Sequence, residues 1–212
     1  MTRLLEKLLP IAGPRLNSVK ASFLPELEKQ AGSFADQLLG LLYQKNGFYG
    51  FESSLHVFPT QSTRSEISLD RWNESVCWRS AYDGMADGCL FFAEDVFGGQ
   101  FALKSGGVYQ FDPETARQEF VASDLEGWAE ALLSDYKVLT GYPLAHQWQA
   151  RYGAIPAGKR LVPKLPFVLG GQFSLDNLYL LDAVKAMRLR GSIATQIRDL
   201  PDGSAIKLEI VE

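Results

Sequence analysis

The sequence predicts a single α+β domain, a central antiparallel sheet with flanking helices. Three observations carry that expectation. Residues 88–122 break into short apolar runs separated by turn chemistry, the pattern of a meander. Residues 25–45 and 183–199 place apolar side chains at helical spacing. A chain of 212 residues, 46% apolar and 22% charged, is long enough for one large core without a disulfide or metal staple.

In chain order, residues 1–20 form an N-terminal helical arm. Leu4, Leu5, Leu8 and Leu9 mark one side of a short amphipathic helix that Pro10 ends. Glu6 and Lys7 interrupt this run too early for a secretion signal. Pro25 suits the first turn of the next helix, where its missing N–H costs nothing. Leu27, Phe34, Leu38, Leu41 and Leu42 face inward along it, and Asn46-Gly47 supplies a left-handed stop. Residues 47–58, GFYGFESSLHVF, read as an irregular extended segment. Ser65 and Ser68 offer caps for a short helix around Leu69, Asp70, Arg71 and Trp72.

The meander follows, with runs at 89–94, 101–103, 108–111 and 119–121. Its turns fall at Phe97-Gly98-Gly99, Ser105-Gly106-Gly107 and Asp112-Pro113-Glu114-Thr115. Ser123 as N-cap with Glu126 three residues on has capping-box form, and Trp128, Leu132 and Leu133 give that helix an apolar face. Residues 142–165 suggest a short helix and then a loop crossing the sheet. The helix at 183–199 buries Ala183, Met187, Ile193, Ala194 and Ile197, with Gly191 marking a bend. Pro201-Asp202-Gly203 closes it, and residues 205–211 alternate as a final strand.

FGGQFALKSGGVYQFDPETA, residues 97–116, looks most like chemistry, and GGQF recurs at 170–173. A phosphate loop needs its glycines between a strand and a helix, so that backbone amides face the anion. Both glycine pairs of 97–116 lie between strands, and neither GK[ST] nor GxGxxG occurs. These are hairpin turns. The two GGQF stretches share too little of their surroundings to form a repeat.

A net charge of −4 argues against a nucleic-acid surface, and the basic stretch 185–190 fits the wet face of a helix. Cys77 and Cys89 form no CxxC and read as free thiols in a reducing cytosol. His56 and His146 lie far apart, which leaves metal binding without a ligand cluster. His56 reads as packed or at a sheet edge, and His146 as helix surface or a polar pocket contact. Glu94 and Asp95 alternate across a strand and cannot share one substrate bond, so they read as an exposed strand end. No GxSxG occurs, and no catalytic set or cofactor is expected. No apolar run reaches the roughly 18 residues of a membrane span, and a cytoplasmic protein is expected.

RWNESVCWRSAYDGMAD, residues 71–87, mixes aromatic, arginine and acidic side chains. Any one ring there fits a core. As a group, Trp72, Trp78 and Tyr82 beside Asp83 and Asp87 suit contact with a protein partner.

The order of a helix, NGFYGFESSLHVFP, then LFFAEDVFGGQFALKSGGVYQFDPETA and a capped helix resembles the SUKH superfamily, the Smi/Knr-like bacterial proteins. Leu24, Pro25 and Glu26 match that family's helix entry, and residues 43–47 its exit. Asp95, Phe97, Gly98, Phe101 and the 112–115 turn match its sheet. The resemblance covers about residues 24–136. It departs at Phe48, where a second glycine is usual, and residues 137–212 form a C-terminal extension beyond the minimal domain. It implies a curved sheet and a non-enzymatic immunity protein that neutralises a polymorphic or contact-dependent toxin. A regulatory or scaffold protein of the same fold is the alternative, with an enzyme behind it.

Overall fold

The computed structural model describes residues 3–201 and 203–204. The expected strand at 205–211 lies outside them. Six strands form one antiparallel meander in sequence order: β1 (Phe48–Gly50), β2 (Leu55–Val57), β3 (Leu90–Asp95), β4 (Gln100–Lys104), β5 (Gly107–Phe111) and β6 (Gln118–Ala122). The chain is therefore α+β, as its turn spacing predicts. A second two-stranded ribbon pairs β7 (Lys159–Pro163) with β8 (Leu178–Asp182). Sequence patterning places a crossing loop where β7 stands.

Helices cover both sides of the sheet. The amphipathic arm becomes α1 (Arg3–Leu8), and the long early helix divides into α2 (Pro25–Ala31) and α3 (Ala35–Gln44). The division falls at Gly32, whose φ of 55° leaves the helical region. The short α4 (Leu69–Trp72) follows, then α5 (Leu125–Leu139), α6 (Tyr142–Tyr152) and α7 (Ala183–Ile197). Asp124, one residue beyond the expected Ser123, caps α5 by accepting from Gly127 N–H at 2.8 Å. Glu126 turns instead to the first turn of α1, accepting from the N–H of Leu4 at 2.6 Å and of Leu5 at 3.4 Å.

The sheet separates two aromatic layers. Phe92 and Phe101 meet Trp128 of α5 edge-to-face, at ring centroids 4.9 and 5.7 Å apart. On the other side, Phe91 and Phe111 pack on Trp78 and Tyr82. Here α7 lies against the 3-10 helix Arg79–Tyr82, and Gly191 is the reason it can. A β-carbon there would stand 2.9 Å from Ala81 Cβ and from Tyr82. Gly191 thus serves a close approach, and α7 runs through it unbroken.

A smaller core gathers Val96, Ala145, Trp148, Ile155, Leu161 and Leu178. The C-terminal segments contribute all of it except Val96, which comes from the β3–β4 turn. That turn is where the two cores meet.

Candidate functional site

The β3–β4 turn, residues 95–100, separates two buried polar clusters. The first is dictated by strand register. Tyr49 pairs with His56, His56 with Glu94, and Glu94 with Gln100, so one cross-strand row carries four polar side chains. His56 Nδ1 lies 3.0 Å from Glu94 Oε1, and Gln100 Nε2 donates to Glu94 Oε2 at 3.2 Å. Trp72 Nε1 donates to Gln100 Oε1 at 2.8 Å. Arg160 of β7 closes the row, its Nη2 2.6 Å from Glu94 Oε1. Glu66 joins through Tyr49, whose hydroxyl donates at 3.1 Å.

Electrostatics follow from burial. Burial alone would raise the Glu94 carboxyl, but the Arg160 guanidinium and the His56 hydrogen bond hold it below the usual carboxylate range. Burial pushes His56 down to about 4, which makes it a neutral ring donating through Nδ1 to an acceptor-only carboxylate. Burial also pushes the Tyr49 hydroxyl up to about 12 and raises Glu66. Each side chain has a charged or polar neighbour, although Arg160 Nε is buried without a hydrogen-bond partner, and this suits a structural clamp between sheet and ribbon.

The second cluster lies around Asp95. Its Oδ1 accepts from the N–H of Phe97 and of Gly99, both at 2.8 Å, while burial pushes its carboxyl up to about 7. Arg190 of α7 donates to the Phe97 carbonyl. The glycine pair makes room for both. A β-carbon at Gly98 would meet Arg190 Nη2, and one at Gly99 would meet Asp95 Oδ2. The glycines of FGGQF thus let a carboxylate and a guanidinium pack onto a hairpin turn.

Three expectations are corrected here. Glu94 and Asp95 do lie on an alternating strand, but both are buried, not an exposed strand end. Arg190, in the stretch expected on a wet helix face, is 2% exposed. Trp72, Trp78 and Tyr82 are each fully buried, so these rings belong to the core and offer no contact surface. Tyr82 donates inward to the Pro113 carbonyl at 2.8 Å. Asp83 and Asp87 remain on the surface, beside Arg198 and Arg79 respectively. His56 is packed, and His146 stands on the α6 surface with Nδ1 2.7 Å from Glu52 Oε2.

The loop between β7 and β8 covers the turn. Phe167 and Phe173 stack at 3.8 Å, and Phe97 lies beside the stack, steeply tilted to both rings, at 5.6 and 5.9 Å. The residue preceding the first GGQF thus meets the last residue of the second, without the two forming a repeat. Asn177 orders the loop: its amide nitrogen donates to Leu165 O and Gln172 O, and its oxygen accepts from Leu165 N–H. Gly171 lets the loop close, since a β-carbon there would overlap the Leu165 carbonyl. On this ordered frame Leu165, Val168 and Phe173 stay exposed, at 49%, 40% and 65%. Sequence reading missed this surface, although PFVLGGQF carries its signal, an apolar run inside turn chemistry.

Among the described residues, no group of three or more His, Cys, Asp or Glu could hold a metal ion, and no helix is long and apolar enough to cross a membrane. No protein-family model matches the chain. No curated protein matches it either. Among solved structures the chain is similar to Atu4351 from Agrobacterium tumefaciens, with a TM-score of 0.57 at 12% identity over 88% of each chain. At that identity the likeness speaks to the fold alone, and it supports one α+β architecture across both the sheet and the C-terminal segments.

Proposed function

We propose that the chain is a non-enzymatic, cytoplasmic binding protein, an immunity protein that neutralises a bacterial toxin by occluding it. The observation that carries this reading is the loop of Leu165, Val168 and Phe173, apolar and exposed yet held by the hydrogen bonds of Asn177. Ordered apolar side chains bind at low entropic cost, because their conformation is set before the partner arrives. The resemblance over residues 24–136 supplies the partner class. Asp83 and Asp87 supply acidic groups elsewhere on the surface.

The test is affinity capture with the full chain as bait, followed by expression of whatever protein dominates. A toxin is expected whose growth arrest is relieved by co-expressing the wild-type chain and not by the Val168→Asp/Phe173→Asp variant. Several weakly held housekeeping proteins would replace the immunity reading with a scaffold. Equal protection by the loop variant would move the contact away from this loop.

A further inference from the structure

We propose that the cavity between α7, the β7–β8 ribbon and the turn at Glu114 binds a small organic monoanion, an apolar ring or chain bearing one carboxylate, anchored by Arg190. The cavity measures about 160 Å³, and Val162, Pro166, Tyr179, Leu189 and Ile193 supply apolar walls. An apolar cavity of about 150 Å³ accommodates benzene. A compact ring therefore fits.

Arg190 gives the site its chemistry. It lines the cavity and is as deeply buried as Arg160, but the two differ in what they face. Arg160 has the Glu94 carboxylate against it. The Arg190 guanidinium donates to two backbone carbonyls, Ala186 at 3.1 Å and Phe97, and lies 3.9 Å from the Met187 sulfur. Among the described residues no carboxylate oxygen comes within 4.0 Å of it. Three of its five N–H donors are thus used, one of them on a weak sulfur acceptor. Asp95 and Glu114 offset its charge only from beyond ion-pair distance, and a bound carboxylate would pair with it directly.

The surrounding charges favour a single negative charge on the ligand. Lys164 and Arg190 line the cavity as cations and Glu114 as its one acid, for a net charge of +1. Glu114 Oε2 accepts from Val168 N–H at 2.8 Å, Oε1 is buried without a hydrogen-bond partner, and burial raises the carboxyl above its usual range, which weakens its negative charge. Asp95, the other acid near Arg190, has Oδ1 committed to Phe97 and Gly99, and burial pushes its pKa up to about 7. Below neutral pH it holds its proton and offsets less of the Arg190 charge.

This inference stands apart from toxin binding and is tested on the full chain. Benzoate and its neutral isostere benzamide are titrated into the protein and followed by calorimetry and amide NMR. Saturable benzoate binding is expected, with shifts at Ile193 and Val162, and benzamide weaker by about tenfold or more because the charge-assisted bond is lost. Ser192→Trp, which places a bulky ring on the cavity lining, abolishes benzoate binding, and Arg190→Met erases the preference for benzoate. If Arg190→Met fails to fold, the wild-type ratio and Ser192→Trp decide. Equal binding of both probes, no benzoate binding, or full binding by Ser192→Trp would each overturn the proposal.

Discussion

Arg160 and Glu94 meet across the boundary between ribbon and sheet, Nη2 to Oε1 at 2.6 Å, each 1% exposed. The contact closes a row of side chains that strand register alone lines up, from Tyr49 through His56 and Glu94 to Gln100. Removing one partner strands the other charge away from water. Arg160→Met is therefore expected to destabilise the fold by about 3–5 kcal/mol. Adding Glu94→Gln to Arg160→Met should restore part of that loss, because the orphaned carboxylate is gone. Urea unfolding of both variants checks this, and a loss below about 1 kcal/mol for Arg160→Met would show that the pair clamps nothing.

Two buried groups pull the pH dependence of stability in opposite directions. Asp95 has its pKa raised from 3.8 to about 7, so across that window the folded state holds a proton that the unfolded state has released. Its contribution falls as pH rises. His56 has its pKa lowered from 6.5 to about 4, so there the unfolded state holds the extra proton and stability rises with pH. Asp95→Asn should steepen the rise of the urea midpoint between pH 4 and 6.5, and His56→Gln should reverse it toward a fall. Each slope is bounded by about 1.4 kcal/mol per pH unit. Parallel profiles for wild type and Asp95→Asn would refute the assignment.

Two helical glycines should respond with opposite sign to the same substitution. Helix propensity favours alanine by about 1 kcal/mol at either position. At Gly40 in α3 nothing lies within 4 Å of the new β-carbon, so Gly40→Ala should stabilise by about that amount. At Gly191 the β-carbon meets Ala81 and Tyr82 at 2.9 Å. There overpacking wins, and Gly191→Ala should cost about 1–3 kcal/mol. Thermal melts of the two variants shifting in the same direction would contradict the packing of α7 on the 79–82 helix.

Glu126 holds the N-terminal arm. Its carboxylate accepts from the first-turn amides of α1, so Glu126→Ala should cost about 1 kcal/mol, the usual worth of an N-terminal cap. Trypsin should then cut faster after Lys7. Unchanged cleavage would mean that Lys45, which donates to Leu9 O and Ala12 O, holds the arm by itself.

What could be read from the sequence divides along a physical line. The meander and its turns were legible because each turn residue acts within a few positions, as at Gly106 with φ 95° and in the 112–115 turn. The cap of α5 was legible to within one residue, at Asp124 instead of Ser123. The buried charges were not legible, because what makes Glu94 or Arg190 tolerable inside is a partner brought in by tertiary folding. Arg160, in KRLVP, gives no local sign that it faces a carboxylate on β3. Trp72, Trp78 and Tyr82 misled because their segment winds irregularly, so Arg71, Glu74, Ser80 and Asp83 stay exposed while every ring turns inward. The ribbon escaped notice because Gly153, Pro156, Gly158 and Pro163, before and at the end of β7, resemble a plain crossing loop.

The turn shared by the two cores also sets an order of events as the chain is made. Synthesis delivers the whole meander, with Glu94, Asp95 and Val96 in place, before the ribosome reaches Arg160 or Arg190. Until those arginines emerge, the nascent sheet carries a carboxylate without its cation and a valine without its pocket. Its final lock therefore waits until residues 160 and 190 have been made. A truncated product ending at residue 136 would keep the six-stranded sheet and lose the means to close it.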